Sequence, residues 1–417
     1  MSLLNLLSDP VVWQSFYNHK EADGHMGKKG LATFRIWIDR AGYQSVVERI
    51  QAGLPFPHPC RKELSKLGSD KKRVVYTYPE DENRVLKLLT FLLQREYDHL
   101  FADNLYSFRP HKGVRNAVLR LIRTKGIGEM WSYKVDIRNY FNSVPIGRLL
   151  PMVEHTLADD PALCHFLAQL LTDPYVLSSG MLVQEEKGIM AGSPISAFLA
   201  NLYLSHMDRH FEAAGVLYAR YSDDIILFAK TEAELNRHKT AVAEFLHDAG
   251  LSVNPVKEVC TAPGQAWTFL GICYENGTVD VAPISVKKLK AKMRRKTRAL
   301  ARWAARKGVD GEQAAKAFIR VFHRKLFEQD SEHELNWTRW YFPLINTADS
   351  LCEIDAYRQR CIRYLATGSN TKSAYWFRYE DMKRLGYVSL VHRYYEMIHN
   401  ADGQRRPIYD FPLPRPS

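Results

Sequence analysis

At 417 residues the chain is long enough to bury a large core in two or three domains or subdomains, and 46% apolar with 25% charged residues is a globular composition. A formal charge of +12 favours polyanionic partners such as nucleic acid or an anionic membrane surface. No apolar run approaches the roughly 18 residues of a membrane span, the N-terminus lacks a basic lead and a small-residue cleavage site, and the cysteines form no C-x-x-C pair. A cytoplasmic protein without a zinc ribbon is expected.

The first 50 or so residues read as mixed helix, and the prolines of "AGLPFPHPC" mark a break after them. "RKELSKLGSDKKRVVYTYP" alternates a basic, glycine-containing turn with a β-prone run, which predicts a hairpin carrying exposed cations. "EDENRVLKLLTFLLQREYDHLF" places acids before apolar residues at helical spacing, as in a helix with negative charge at its N-terminus. From 130 to about 280 strands and helices alternate in an α+β pattern. Within it, the alternation of "YKVDIRNYFNSVP" packs Val135, Ile137 and Phe141 and ends a strand at Asp136.

Farther on, "RYSDDIILFAK" sets Asp223 and Asp224 side by side at the edge of a buried run. Repulsion and desolvation oppose this arrangement. Ser-Asp-Asp is good turn chemistry, so a plain hairpin is one reading; a hairpin tip that holds a divalent cation is the other. Asp136 supplies a third carboxylate at a strand end, and three converging carboxylates suit two Mg²⁺ ions, with Mn²⁺ as a substitute. Beyond 283 the segment "ISVKKLKAKMRRKTRALARWAARKG" carries Lys287, Lys288, Arg294, Arg295, Lys296 and Arg298 without an acid, a helix that ends at Gly308 and suits a phosphate backbone. The remainder is helical and aromatic until the proline-rich tail "RRPIYDFPLPRPS".

"VDIRNYF" and "YSDD" resemble the palm motifs of reverse transcriptases, in the bacterial branch related to group II intron enzymes. Between them "GIMAGSPISAFLANLYLSHMD" is similar to the glycine-rich turn and helix of the nucleotide pocket; "GLSVNPVKEVC" and "WTFLGICYE" follow where the family has its lysine-bearing loop and primer grip. "KLGSDKKRVVYTY" and "LYSFRPHKGVRNAV" look like the fingers motifs. The resemblance implies a right-hand polymerase fold: an N-terminal helical extension over 1–50, fingers and palm over 51–282, and a basic helical thumb with an RNA-binding region over 283–417.

It also implies roles. Asp136, Asp223 and Asp224 would be catalytic and metal-binding, with the Ile137 carbonyl as a further ligand and Lys257 as a proton donor to pyrophosphate. Lys72 and Arg73, with Lys66 as a further choice, would clamp the triphosphate, and Arg109 and the basic helix would touch nucleic acid. Phe141 matches the gate whose bulk collides with a ribose 2′-hydroxyl, so deoxynucleoside triphosphates are the expected substrates. Where relatives commonly have Pro-Gln-Gly, this chain has Met190, Ala191 and Gly192; Ala191 lacks a side-chain amide for the incoming nucleotide.

The C-terminal stretch is similar to the thumb of intron-type enzymes and no H-N-H-like cluster or metal-binding cysteine set follows it, so the chain as a whole resembles the stand-alone, defence-associated reverse transcriptases that copy a neighbouring noncoding RNA into cDNA during phage infection. A splicing maturase that only binds RNA and an RNA-templated RNA polymerase are the alternatives.

Overall fold

The structure, a computed structural model, describes residues 2–24, 26–65, 72–327 and 337–398. Lys66 and the proline-rich tail lie outside the described residues.

The N-terminal segment folds into helices Leu3–Leu6, Pro10–Asp23, Lys28–Asp39 and Gln44–Gln51. Asp9 caps the second by accepting from the Val11 N–H, and Pro10 takes the first helical position, where a missing N–H costs nothing. Trp13 stacks on Tyr43 at 4.8 Å, and Phe16 meets Phe91 at 5.0 Å. This extension therefore shares the core of the following segment.

Strands follow in the order β1 (Cys60–Ser65), β2 (Lys72–Thr77), β3 (Trp131–Asp136), β4 (Tyr175–Ser178), β5 (Met181–Gln184), β6 (Leu217–Tyr221), β7 (Asp224–Ala229), β8 (Val259–Thr261), β9 (Trp267–Phe269), β10 (Ile272–Glu275) and β11 (Thr278–Val281). They form a fingers sheet ordered β2-β1-β4-β5, a palm sheet ordered β6-β7-β3-β8 and a small sheet ordered β11-β10-β9. The β1–β2 hairpin and the acidic-first helix, here Glu80–Glu96, lie where the sequence pattern puts them. The segment after the glycine-rich turn, which reads as one helix, divides at Leu204 into Ser196–Tyr203 and Ser205–Ala213.

From Ile225 to Ala229 β7 is apolar without interruption because both of its faces are covered. Ile225, Leu227 and Ala229 enter the core shared with the fingers and N-terminal helices; Ile226 and Phe228 enter a second core with the small sheet and the C-terminal helices. Side chains alternate along a strand, and β3 pairs with β7 so that Lys134 faces Ile226 and Asp136 faces Asp224. Both acids consequently lie on the sheet face that turns towards the C-terminal helices.

The basic segment is one helix, Pro283–Lys307, closed by Gly308 in the left-handed conformation that glycine adopts without strain. Val286, Leu289, Met293, Thr297 and Leu300 form its buried stripe. The cations occupy the opposite face: Lys287, Lys288, Arg294, Arg295 and Arg298 are exposed and Lys296 is half-buried. This helix packs on Asp349–Thr367, whose Ser350 N–H and hydroxyl both donate to Asp280 of β11, at 3.1 and 2.7 Å. The small sheet thus fixes the thumb helices to the palm.

Candidate active site

The two adjacent acids sit at the tip of the β6–β7 hairpin, with Ser222 and Asp223 forming the turn and Asp224 opening β7. The hairpin tip is joined to β3 by the Ile137 N–H, which donates to the Asp223 carbonyl at 2.9 Å. Asp136 closes β3 directly opposite Asp224. Strand register thus brings three acids from distant parts of the sequence to one sheet end.

A buried polar lock holds the turn. Arg220 is fully buried, and its guanidinium donates to both carboxylate oxygens of Asp208, Nε to Oδ1 at 2.8 Å and Nη2 to Oδ2 at 2.5 Å. The Tyr218 hydroxyl and the Asn104 side-chain amide donate to the same aspartate, one to its carboxylate and one to its carbonyl. Arg220 also donates to the Ser222 carbonyl at 3.3 Å. Ser222 has a positive φ of 60°, a conformation that a non-glycine residue keeps only when neighbours hold it. Its N–H donates to the Ser107 hydroxyl at 2.9 Å, and that hydroxyl donates in turn to Asn201 at 3.0 Å. Asp208, Arg220, Ser107 and Asn201 were not singled out by sequence. The available signal was Arg220 itself, since a charge within the apolar strand "VLYARY" must be paired if the strand is buried.

Burial, then the charges of Asp224 and Asp136, push the Asp223 carboxyl up to about 6. Asp224 is pushed up as well, chiefly by burial, against the opposing pull of Lys134, Lys257 and Lys288. Lys288 acts on the palm from the basic helix, so the thumb reaches the acids electrostatically. The Asp136 carboxylate is turned to the lysine-bearing loop, accepting from the Asn254 side chain at 3.2 Å and from the Lys257 ammonium at 2.5 Å. Burial opposes the Lys257 charge, but the hydrogen bond and charge of Asp136 outweigh it and hold the ammonium above its ordinary range.

Among the described residues no group of three or more His, Cys, Asp and Glu side chains is gathered closely enough to hold a metal ion. The chemistry of the acids nonetheless fits a hard divalent cation: they are oxygen donors, partly buried and mutually repelling, and an ion between them would relieve that repulsion. Lys257 is the group that Asp136 must release to share such an ion.

The residues expected on the nucleotide side form a second, connected set. Asn142 accepts from the Ala191 N–H at 2.8 Å and donates to the Val74 carbonyl at 3.2 Å, and the Tyr76 N–H donates to the Ala191 carbonyl at 2.8 Å. The turn bearing Ala191 and Gly192 is thereby tied to β2, the strand that carries Lys72 and Arg73. Both cations are exposed, and Lys72 pairs with Glu63 at 2.8 Å. Gly192 has φ 102°, and a Cβ there would lie 3.0 Å from the Tyr76 carbonyl, so close strand approach requires glycine. Phe141 is partly buried and meets Phe108 edge-on at 6.3 Å; Phe108 in turn lies 6.3 Å from Tyr221, beside the acids. Asn142 and Phe108 were missed in the sequence, although both lie inside quoted motifs.

Arg109 is placed differently from the expectation of a nucleic-acid contact. Its guanidinium faces inward, paired with Asp98 at 2.7 Å and donating to the Ala102, Leu105 and Asp98 carbonyls. With its donors satisfied inside the protein, it is a brace for the fingers loop.

Residues 64–274 match the family model described as reverse transcriptase (RNA-dependent DNA polymerase). The chain is 23% identical over 206 residues to the group II intron-encoded protein LtrA of Lactococcus lactis subsp. cremoris, a match covering 48% of this chain and 32% of that protein. It is 21% identical over 235 residues to the retron Ec86 reverse transcriptase of Escherichia coli, covering 55% of this chain and 67% of that protein. A solved structure of apo telomerase from Candida tropicalis, truncated from the C-terminal domain, gives a TM-score of 0.44 at 13% identity and covers 54% of this chain and 55% of that chain. The match therefore spans about a third of the intron-encoded relative's length.

Proposed function

The chain belongs to the reverse transcriptase family, and from that premise we propose that it is an RNA-directed DNA polymerase, extending a primer on an RNA template with deoxynucleoside triphosphates. The observation that carries this reading is the register of Asp136 against Asp224, with Asp223 in the locked turn beyond them. Asp136, Asp223 and Asp224, with the Ile137 carbonyl, would hold divalent cations, Mg²⁺ by preference and Mn²⁺ as a substitute, which would supply activation of the attacking hydroxyl and charge neutralisation of the leaving pyrophosphate. The remaining steps belong to the protein's own groups. Lys72 and Arg73 bind the triphosphate from β2, the Phe141 ring excludes a 2′-hydroxyl, and the Lys257 ammonium, beside Asp136, is positioned to donate a proton.

The basic helix grips template and primer through phosphates on the sheet face that bears the acids. The finer reading, copying of a structured noncoding RNA into cDNA for antiphage defence in the bacterial cytoplasm, rests on the resemblance in length and architecture to stand-alone enzymes. Among the described residues no helix is long and apolar enough to cross a membrane.

Primer extension on a defined RNA template, with deoxynucleotides and ribonucleotides supplied separately, tests the activity. Incorporation of deoxynucleotides is expected; ribonucleotide incorporation alone would favour an RNA polymerase, and RNA binding without synthesis a maturase. Phe141→Ala should raise ribonucleotide use selectively. Sequencing RNA that co-purifies from cells, together with the DNA made, tests the template.

A further inference from the structure

Tyr375 and Trp376 stand out on the C-terminal helical region. Adjacent in sequence, they keep 66% and 63% of their surface exposed, while Ala374 and Phe377 on either side are buried. The backbone thus clamps this short 3₁₀ turn, Lys372–Trp376, into the core and presents two large rings to solvent. Burial of such rings is the ordinary outcome, so an exposed adjacent pair is a surface with a use.

The surroundings identify the chemistry. The Arg363 guanidinium lies 4.5 Å from the Tyr375 ring centre and is anchored by its Nε to the Phe377 carbonyl at 3.2 Å. Residues 356–379 contain no acid, and the next ones, Glu380 and Asp381, serve the following helix, where Asp381 caps the Arg378 N–H at 2.8 Å. Along Asp349–Thr367, Arg360 lies 5.1 Å from the Tyr357 ring, and Tyr357 feels the charges of Arg294 and Arg298 from the basic helix. Aromatic and cationic groups therefore alternate from the basic helix through Tyr357, Arg360 and Arg363 to Tyr375 and Trp376. Arginine and aromatic rings also recur in protein interfaces; what points to a polyanion is the absence of acids from 356–379 and from the neighbouring basic helix. That is the composition of a surface on which unpaired bases stack while phosphates are neutralised.

We infer that Tyr375 and Trp376, with Arg363, form a stacking site for unpaired bases of a single-stranded nucleic acid continuous with the strand held by the basic helix. This rests on the polymerase reading. The site separates two functions on one thumb: the basic helix binds backbone, and the aromatic turn binds bases without reading their sequence.

The test uses the full chain and short fluorescent oligouridylate and oligothymidylate, each also prepared with abasic positions that keep the phosphates and lack the bases. Wild type should bind the intact oligonucleotides at least roughly 5- to 150-fold more tightly than the abasic ones, the range expected for one stacked base. Tyr375→Ala/Trp376→Ala should erase that preference and leave the salt dependence unchanged, because rings release no counterions; Trp376→Phe in an otherwise wild-type chain should keep most of it. The uridylate and thymidylate arms distinguish an RNA from a DNA strand. Both rings are exposed, so the double variant should melt with wild-type protein. Extension of a primer-template duplex with a recessed primer 3′ end and a short 5′ template overhang, measured alongside, reports the polymerase reading separately. An unchanged preference for intact oligonucleotides in the double variant would overturn the stacking site even if primer extension is normal.

Discussion

The palm hairpin and the thumb are both charged, yet they are built in opposite ways. In the palm, Asp223 and Asp224 stand on a turn locked from beneath by Arg220, Asp208, Ser107 and Asn201, with every charge in that lock paired and buried. In the thumb, an apolar stripe from Val286 to Leu300 fastens the basic helix, and Lys287, Lys288, Arg294, Arg295 and Arg298 on the other face are exposed to solvent. Chemistry needs reacting groups fixed to a fraction of an ångström, whereas a grip that must slide along a polymer needs strength without fixed partners. Palm substitutions should therefore remove activity or stability, and thumb substitutions affinity.

The largest effect belongs to the acids. Asp223→Ala/Asp224→Ala should lower DNA synthesis by at least roughly 10³-fold, since the metal ligands supply several kcal/mol of transition-state stabilisation. Circular dichroism and nucleic-acid affinity should stay close to wild type. If the folded double variant still polymerises, the palm holds no metal chemistry and the contrast collapses.

The lock comes next. Arg220→Met leaves the Asp208 charge buried and unpaired, which costs about 3–5 kcal/mol. Urea unfolding should show that loss, and adding Asp208→Leu should recover a large part of it. If Arg220→Met costs less than about 1 kcal/mol, a value ordinary for a surface pair, the turn is not held from beneath.

A smaller effect of opposite sign is expected at the turn itself. The Asp223 carboxyl is held at about 6, above its ordinary 3.8, so in the folded state its ionised form is disfavoured. That penalty is absent below pH 3.8, grows as pH rises and is complete above 6; about 2–3 kcal/mol corresponds to such a shift. With chelator present, Asp223→Asn should therefore be more stable than wild type at pH 8, and the gap should close towards pH 4. Adding Mg²⁺ should stabilise wild type more than the variant. A gap independent of pH would show that Asp223 carries no strain.

The hairpins, the Glu80–Glu96 helix and the basic helix were legible because each announces itself locally, by alternation, by acids before a helical face, or by a terminal glycine. The convergence of Asp136 with Asp223 and Asp224 is a matter of register, and only the motif order pointed to it. The lock was not legible: Asp208 and Arg220 lie in different elements, and nothing in a linear pattern says which buried charge answers which. Arg109 misled for the same reason, since a cation in a fingers motif reads alike whether it faces solvent or Asp98.

The smallest effect on structure should come from the thumb. Neutralising Arg294, Arg295, Lys296 and Arg298 should leave the melting temperature close to wild type and flatten the slope of log affinity against log salt by roughly one unit for each lost phosphate contact. An unchanged slope would make this helix a solvated face.

Single-encounter primer extension on an RNA template, read as product length and run on three proteins together, tests the division most directly. Wild type should extend with deoxynucleotides; Asp223→Ala/Asp224→Ala should bind the primer-template and add nothing; the four-fold thumb variant should add nucleotides and release early. Synthesis by the palm variant, or full-length product from the thumb variant, would contradict the account.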